Sequence, residues 1–510
     1  MRYRSWLLLI VVIIGSAGKS RENKNNGYLS TSTGATFEIY PEFIGVNGNL
    51  TGLDRPWEKQ ELYQGIKKLN LGNFRYPAGS IGNVWDWDLG WIDQEIPDSC
   101  LIKWIVEQDV RSRPNRYTLD NLALGMKGLE VAPVFMLNML TKDLDHSIGA
   151  LKKADSLGMK IKYVELGNEY YFNLPLEMAV YPTPEDLGKT SKIWIDAIKK
   201  EFPDAKCAVV GTTIHRQPRH KDWNKRVLKY ATNADAITKH IYSPIGMFGE
   251  KSYKKHTAGT EGMAESKITG LTPKERQKYE LEILATSEKN FVNILTTANE
   301  AALSYTHMDI PENMDVWITE FNLRGDKSAV RGTWANSMML SEFYNTFLEN
   351  GQVKLTNVHN AIGPKFQMVY GDSALRHVHD DEVYRKPWSL SAGGLTMSYF
   401  GKVMNGMTKG KKIMFDNVPS MKDLEDKEFP ALKGFIFWNE VGDKKGIIIN
   451  YSGSDQKINT DFAKGSKISF RKVSSPLTHY VMDEKGMKIN KGQARNAMVI
   501  KPYSITTFSY

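Results

Sequence analysis

The chain has 510 residues, 41% of them hydrophobic and 11% aromatic, enough to bury a large core over two domains and enough to exclude extensive disorder. Its formal charge of +9 is spread thinly, and the densest basic stretch, KGKK at 409–412, is too short to follow a phosphate backbone, which excludes nucleic acid as the expected partner. The two cysteines, Cys100 and Cys207, exclude a disulfide framework and leave either one bridge or two free thiols.

In chain order, the first element is a basic MRYRS followed by the apolar run WLLLIVVII and a small-residue GSA ending at Ala17. That pattern predicts a signal peptide over 1–17, too short for a stable anchor, and hence a secreted or periplasmic product. No later segment approaches ~20 consecutive apolar residues, so no membrane span is expected. Residues 18–40 are polar, but they contain ATFEIY, a strand-like stretch expected to pack on the C-terminal sheet.

From there, short apolar runs alternate with amphipathic stretches. The runs are 43–49, 73–79, 131–138, 161–168, 205–213, 236–243, 315–322 and 353–363. Helix-like segments between them include PWEKQELYQGIKKLN, LDHSIGALKKADSLG and GTWANSMMLSEFYNTFLENG. Alternating strands and helices build βαβ units on a parallel sheet, and eight of them predict an α/β fold, a (β/α)8 TIM barrel over 41–405. A charged, apolar-poor insertion from Phe248 to Glu280 interrupts the sixth unit and is expected to form a lid or surface excursion over the barrel mouth. Beyond 405 the pattern becomes short strands with turn signals, among them GFIFWNE, KKGIIINYSG and SITTFSY. This predicts an antiparallel β-sandwich domain over 406–510.

Barrel sites form at the C-terminal ends of the strands. Those positions hold Asn47, Arg75, Asn138, Asn168, Glu169, His240, Tyr242, Glu320, Asn322, His359 and Asn360. Two carboxylates stand out: Glu169 after the fourth strand, in KYVELGNEYYFN, and Glu320 on the seventh, in VWITEFN. A single strand-end Glu reads as a solvated loop acid. Two on strands that face each other across a barrel mouth fit a retaining glycosidase, whose carboxyls stand ~5–5.5 Å apart. The loop VWDWDLGW supplies Trp85, Trp87 and Trp91, which serve equally as core or as flat surfaces for sugar rings.

GNE after strand four together with ITEFN on strand seven resembles clan A of the glycoside hydrolases. FRYPAGS is similar to the segment after strand two in α-L-arabinofuranosidases and heparanase-like β-glucuronidases. KHIYS resembles their sixth strand, and IKPYSITTFSY the last strand of their sandwich. One departure is Ala78, which replaces the first glycine of the usual pair. The resemblance implies Glu169 as acid/base and Glu320 as nucleophile, with Asn168 donating to the sugar 2-hydroxyl. Asn47, Trp85, Asn138, Asn322 and His359 join them as substrate-binding candidates by position, and the resemblance makes Arg75 and Tyr242 hold the nucleophile and His240 line the pocket. It implies a carbohydrate substrate, no cofactor and no metal.

Other readings stand beside it. An arabinofuranosidase is the nearest fit, with a β-glucuronidase or an endo-acting galactan hydrolase as alternatives within the clan. HVHDDE, His377 to Glu382, is dense enough for a metal-dependent hydrolase, but it lacks a second set of strand-end ligands. A non-catalytic carbohydrate-binding barrel would not need both Glu residues.

Overall fold

The structure is a computed structural model that describes residues 27–214, 216–245, 272–324, 328–363, 366–371, 376–377, 380–384 and 386–510. The stretch read as a signal peptide, most of the 248–280 insertion and the side chains of His377–Glu382 lie outside the described residues.

Eight parallel strands close into a barrel: Ile44–Asn47, Asn73–Tyr76, Ala132–Met136, Tyr163–Glu165, Lys206–Val210, Ala236–Ser243, Asp315–Leu323 and Val353–His359. Each is followed by a helix, from Gln60–Lys67 in the first unit to Ala392–Met404 in the eighth. The helices follow from local sequence. In Pro184–Glu201, Thr183 and Asp186 form a capping box ahead of Pro184, and Leu187, Ser191, Trp194, Ile195 and Ile198 are buried at helical spacing. Inside the barrel, Val134, Tyr163, Ala208, Ala236, Trp317 and Leu355 pack as one cluster. The two large rings fill the space that the alanines leave, as the tapering interior of a TIM barrel requires.

The C-terminal region is a seven-stranded antiparallel sheet, and its edge strand is Thr31–Glu38, paired with Lys409–Phe415. Strand alternation gives this sheet two buried faces. Phe435, Phe437, Ile447, Ile449 and Ile505 join the barrel's outer core. Ile436, Ile448, Ile468 and Phe508 pack under a two-stranded ribbon carrying Ile458 and Ile500. Barrel and sandwich are also pinned by a buried ion pair, Lys433 Nζ to Glu342 Oε1 at 2.6 Å, with Tyr451 donating to the other oxygen of Glu342. Among the described residues, no helix is long and apolar enough to cross a membrane.

Candidate active site

The fourth strand ends at Glu165, and the chain turns sharply through Gly167 (φ 97°) and Glu169 (φ 53°). Gly167 has to be glycine: a Cβ there would lie 2.1 Å from the ring of Tyr170. The left-handed conformation of Glu169 is held from several sides. Asn83 grips the backbone of Asn168 at both N–H (3.0 Å) and C=O (2.8 Å). Arg219 donates to the carbonyls of Tyr170 and Phe172 at 2.8 and 2.9 Å. Thus Glu169 leaves the strand end with its side chain already aimed. Its Oε1 accepts from the Tyr171 hydroxyl at 2.9 Å and lies 2.9 Å from His240 Nδ1.

Glu320 projects from the seventh strand and is 6% exposed. Its Oε1 accepts from Arg75 Nη1 at 2.9 Å and from Asn47 Nδ2 at 3.1 Å, and its Oε2 from the Tyr242 hydroxyl at 2.7 Å. His240 Nδ1 stands 3.7 Å and His359 Nδ1 3.8 Å from Oε2. One imidazole nitrogen therefore lies within 2.9 Å of Glu169 and 3.7 Å of Glu320. Laid end to end, those distances cap the oxygen–oxygen separation near the lower edge of the ~6.5–9.5 Å range of inverting glycosidases, leaving the shorter retaining range of ~5–5.5 Å fully open. The backbone also comes close: a Cβ on Gly79 would sit 2.6 Å from Glu320 Oε1, so only glycine fits beside this carboxylate.

The electrostatics separate the two acids. Burial by itself would raise the pKa of Glu320, but the charges of His240, His359 and Arg75 and the Tyr242 hydrogen bond outweigh it and hold the carboxyl at about 2. Burial keeps His359 below the ordinary imidazole value, so near neutral pH the hold on Glu320 falls to Arg75, Asn47, Tyr242 and His240. Burial opposes the charge of His240 as well, yet Glu320 and Glu169 together raise its pKa above the usual value.

Of the residues singled out in the sequence, Asn47, Arg75, His240, Tyr242 and His359 converge on Glu320. Asn168 enters through its Oδ1, which accepts from Arg75 Nη2 at 2.9 Å, leaving its amino group as the donor for a ligand. Asn322 braces the wall, donating to the carbonyls of His359 and Phe366. Trp85 and Asn138 are engaged with each other's loops. Trp85 is 4% exposed with Nε1 donating to the Tyr76 hydroxyl, and Asn138 donates to the Trp85 carbonyl at 3.0 Å. These bonds tie the loop after the second strand to the third, and neither residue is bonded to Glu169 or Glu320.

Two residues at the site, Glu165 and Thr319, escape a reading of strand ends. Glu165 is fully buried and binds Arg75 through both oxygens, at 2.6 and 3.2 Å. Thr319 donates to Glu165 at 2.8 Å, and Tyr171 holds Glu169. The available signal was the period-two pattern: in YVE, Tyr163 and Glu165 both face inward, and an inward acid in a barrel needs a partner.

No family model matches the chain, and no curated protein matches it by sequence. Solved structures do match by fold. A GH51 arabinofuranosidase from Xanthomonas axonopodis pv. citri superposes with a TM-score of 0.64 at 10% identity, covering 94% of this chain and 99% of its own. A family 51 α-L-arabinofuranosidase from Bifidobacterium longum gives 0.61 at 12% identity, with the same coverage. A 4-O-α-L-rhamnosyl-β-D-glucuronidase from Fusarium oxysporum 12S gives 0.53 at 10%, covering 94% and 100%. The chain thus shares, over nearly its whole length, the barrel-and-sandwich fold of these clan A enzymes.

Proposed function

We propose that the protein is a retaining glycoside hydrolase with Glu320 as nucleophile and Glu169 as general acid/base, most like an α-L-arabinofuranosidase and acting outside the cytoplasm. The observation that carries this reading is the convergence of two oppositely equipped carboxylates on His240 Nδ1. Glu320, ionised and gripped by three donors, is suited to attack an anomeric carbon. Glu169, on its aimed turn, gives a proton to the departing glycosidic oxygen as the Glu320–sugar bond forms. In the second half, water attacks the anomeric carbon, its proton passes to Glu169, and the bond to Glu320 breaks. The Asn168 amino group would donate to the sugar 2-hydroxyl, a bond that strengthens in the oxocarbenium-like transition state. The fold neighbours named above, two arabinofuranosidases among them, support the class.

The test is turnover of an aryl glycoside panel that includes α-L-arabinofuranoside, β-D-glucuronide and β-D-galactoside, with the first-formed anomer read by NMR. Retention on the arabinofuranoside is expected. An inverted first product overturns double displacement. Glucuronide turnover alone moves the enzyme to the glucuronidase alternative, and inactivity across the panel favours a carbohydrate-binding barrel.

A further inference from the structure

Behind the two carboxylates lies a chain of hydrogen bonds whose direction can be worked out. Glu165 is fully buried and takes Arg75 Nε and Nη2 on its two oxygens. With an Arg75 N–H on each oxygen, this carboxylate serves as an acceptor. Thr319 Oγ1 lies 2.8 Å from Glu165 Oε1, so the hydroxyl proton points at Glu165. The same hydroxyl oxygen lies 3.1 Å from His240 Nε2. With its only proton committed, it can only accept there, so Nε2 must carry a hydrogen. In neutral imidazole the other nitrogen, Nδ1, is then bare, and it faces Glu169 Oε1 at 2.9 Å.

We propose that Thr319, aligned by Glu165, is a positioning residue that locks neutral His240 in its Nε2–H form and thereby makes the Glu169–His240 link the store of a single exchangeable proton. This rests on the assignment of Glu169 as acid/base. With that proton present, the link is bonded either as Glu169–H to Nδ1 or as Nδ1–H to the carboxylate. Once the proton has gone to the leaving group, a bare nitrogen faces a carboxylate at hydrogen-bond distance with nothing between them. The link then favours taking a proton back, as a general base must when water attacks the glycosyl-enzyme. Without the lock, His240 would turn to its Nδ1–H form, bond the carboxylate and blunt that basicity.

The groups facing His240 are consistent with one shared proton. Glu169 comes from the turn after strand four, Glu320 and Thr319 from strand seven, Arg75 from strand two and His359 from strand eight. On its own strand, Tyr242 is committed to Glu320, and buried Lys239 donates to Thr213. The Tyr171 hydroxyl donates to Glu169 Oε1, the oxygen that faces Nδ1, in either state of the link.

The tautomer is read directly by nitrogen NMR of histidine-labelled protein above the titration of His240, the signal assigned by its loss in His240→Gln. Wild type and Thr319→Ser should carry the hydrogen on Nε2, and Thr319→Val on Nδ1. In activity, Thr319→Val should move the alkaline limb of kcat/KM down by about one pH unit, the worth of one charge-assisted hydrogen bond, and Thr319→Ser should restore it. A wild-type hydrogen on Nδ1 overturns the inference even if the valine variant fails to fold. So does a valine variant that keeps Nε2–H, or one that loses rate equally at all pH values with its limb unmoved. A wild type that turns over no glycoside overturns the hydrolase reading instead, and the NMR still decides the tautomer.

Discussion

The two ends of the barrel both pair tyrosines with carboxylates, and they use the pairing differently. At the floor, the Tyr163 hydroxyl donates to Glu42 at 2.9 Å and Tyr40 to Asp315, with the two rings stacked 5.9 Å apart. Lys162 approaches Glu42 at 2.7 Å and Lys206 approaches Asp315 at 3.9 Å. Burial first, and then these acids, push both phenols far above their ordinary values. Each floor acid thus meets a cation of its own at the protein's edge, where such pairs contribute little. At the mouth, one fully buried guanidinium serves two carboxylates, Glu165 and Glu320. Removing a member there strands a charge in a dry environment. The cluster that closes the barrel is balanced locally, each acid beside its own cation, whereas the cluster at the mouth divides one buried cation between two acids.

Five experiments would break or sharpen that contrast. The largest effect should come from Glu320→Ala, which removes the covalent intermediate and should cost about 10⁴-fold or more in kcat on every substrate, with azide the only route to partial recovery. An activity loss as small as that of a floor variant would erase the distinction between the two ends. Glu169→Ala should be selective. On a poor leaving group its loss should approach that of Glu320→Ala, while an activated aryl glycoside should give a burst of phenol, a lowered KM and rescue by azide with retained configuration. Uniform losses without rescue would mean Glu169 is not the acid/base.

Gly79→Ala comes next. Its new methyl would press on Glu320 Oε1, and displacing a reacting group by about 1 Å costs on the order of 10²-fold. A near-normal kcat would show that the carboxylate has room the geometry denies it. Tyr242→Phe removes one donor from Glu320 and should raise its pKa from about 2, bringing the acid limb of kcat/KM toward neutrality. The sign for stability follows. A carboxyl with a depressed folded value stabilises the fold above its unfolded value of ~4.3, and that contribution fades as pH falls toward the folded one. Denaturant melts should therefore show the variant weaker by about 1 kcal/mol at pH 7, with the gap closing only as pH falls through the folded value of about 2. A gap that persists at low pH would assign the loss to packing instead. Smallest of all should be Tyr163→Phe at the floor: about 1 kcal/mol of stability and no change in kcat, with Lys162 still neutralising Glu42.

The sequence by itself determined the architecture and the place of two acids at the barrel mouth. The eight apolar runs fall on the eight barrel strands because strand and helix periodicities are local, written in which neighbours are apolar. Glu169 and Glu320 were legible as acids at the barrel mouth because strand ends can be counted, and the structure brings both to His240 Nδ1. What only the tertiary structure decided is who touches whom across the barrel. Trp85, which the sequence offers as a sugar platform, packs edge-on against Tyr76 and Trp91, because ring burial depends on how loops return and not on composition. Glu165 reads as an ordinary strand residue until closure brings Arg75, 90 positions earlier, and Thr319, 154 positions later, onto its two oxygens. Hydrogen-bond direction is set by such long-range partners, so the state of His240 has no signature in the chain around it.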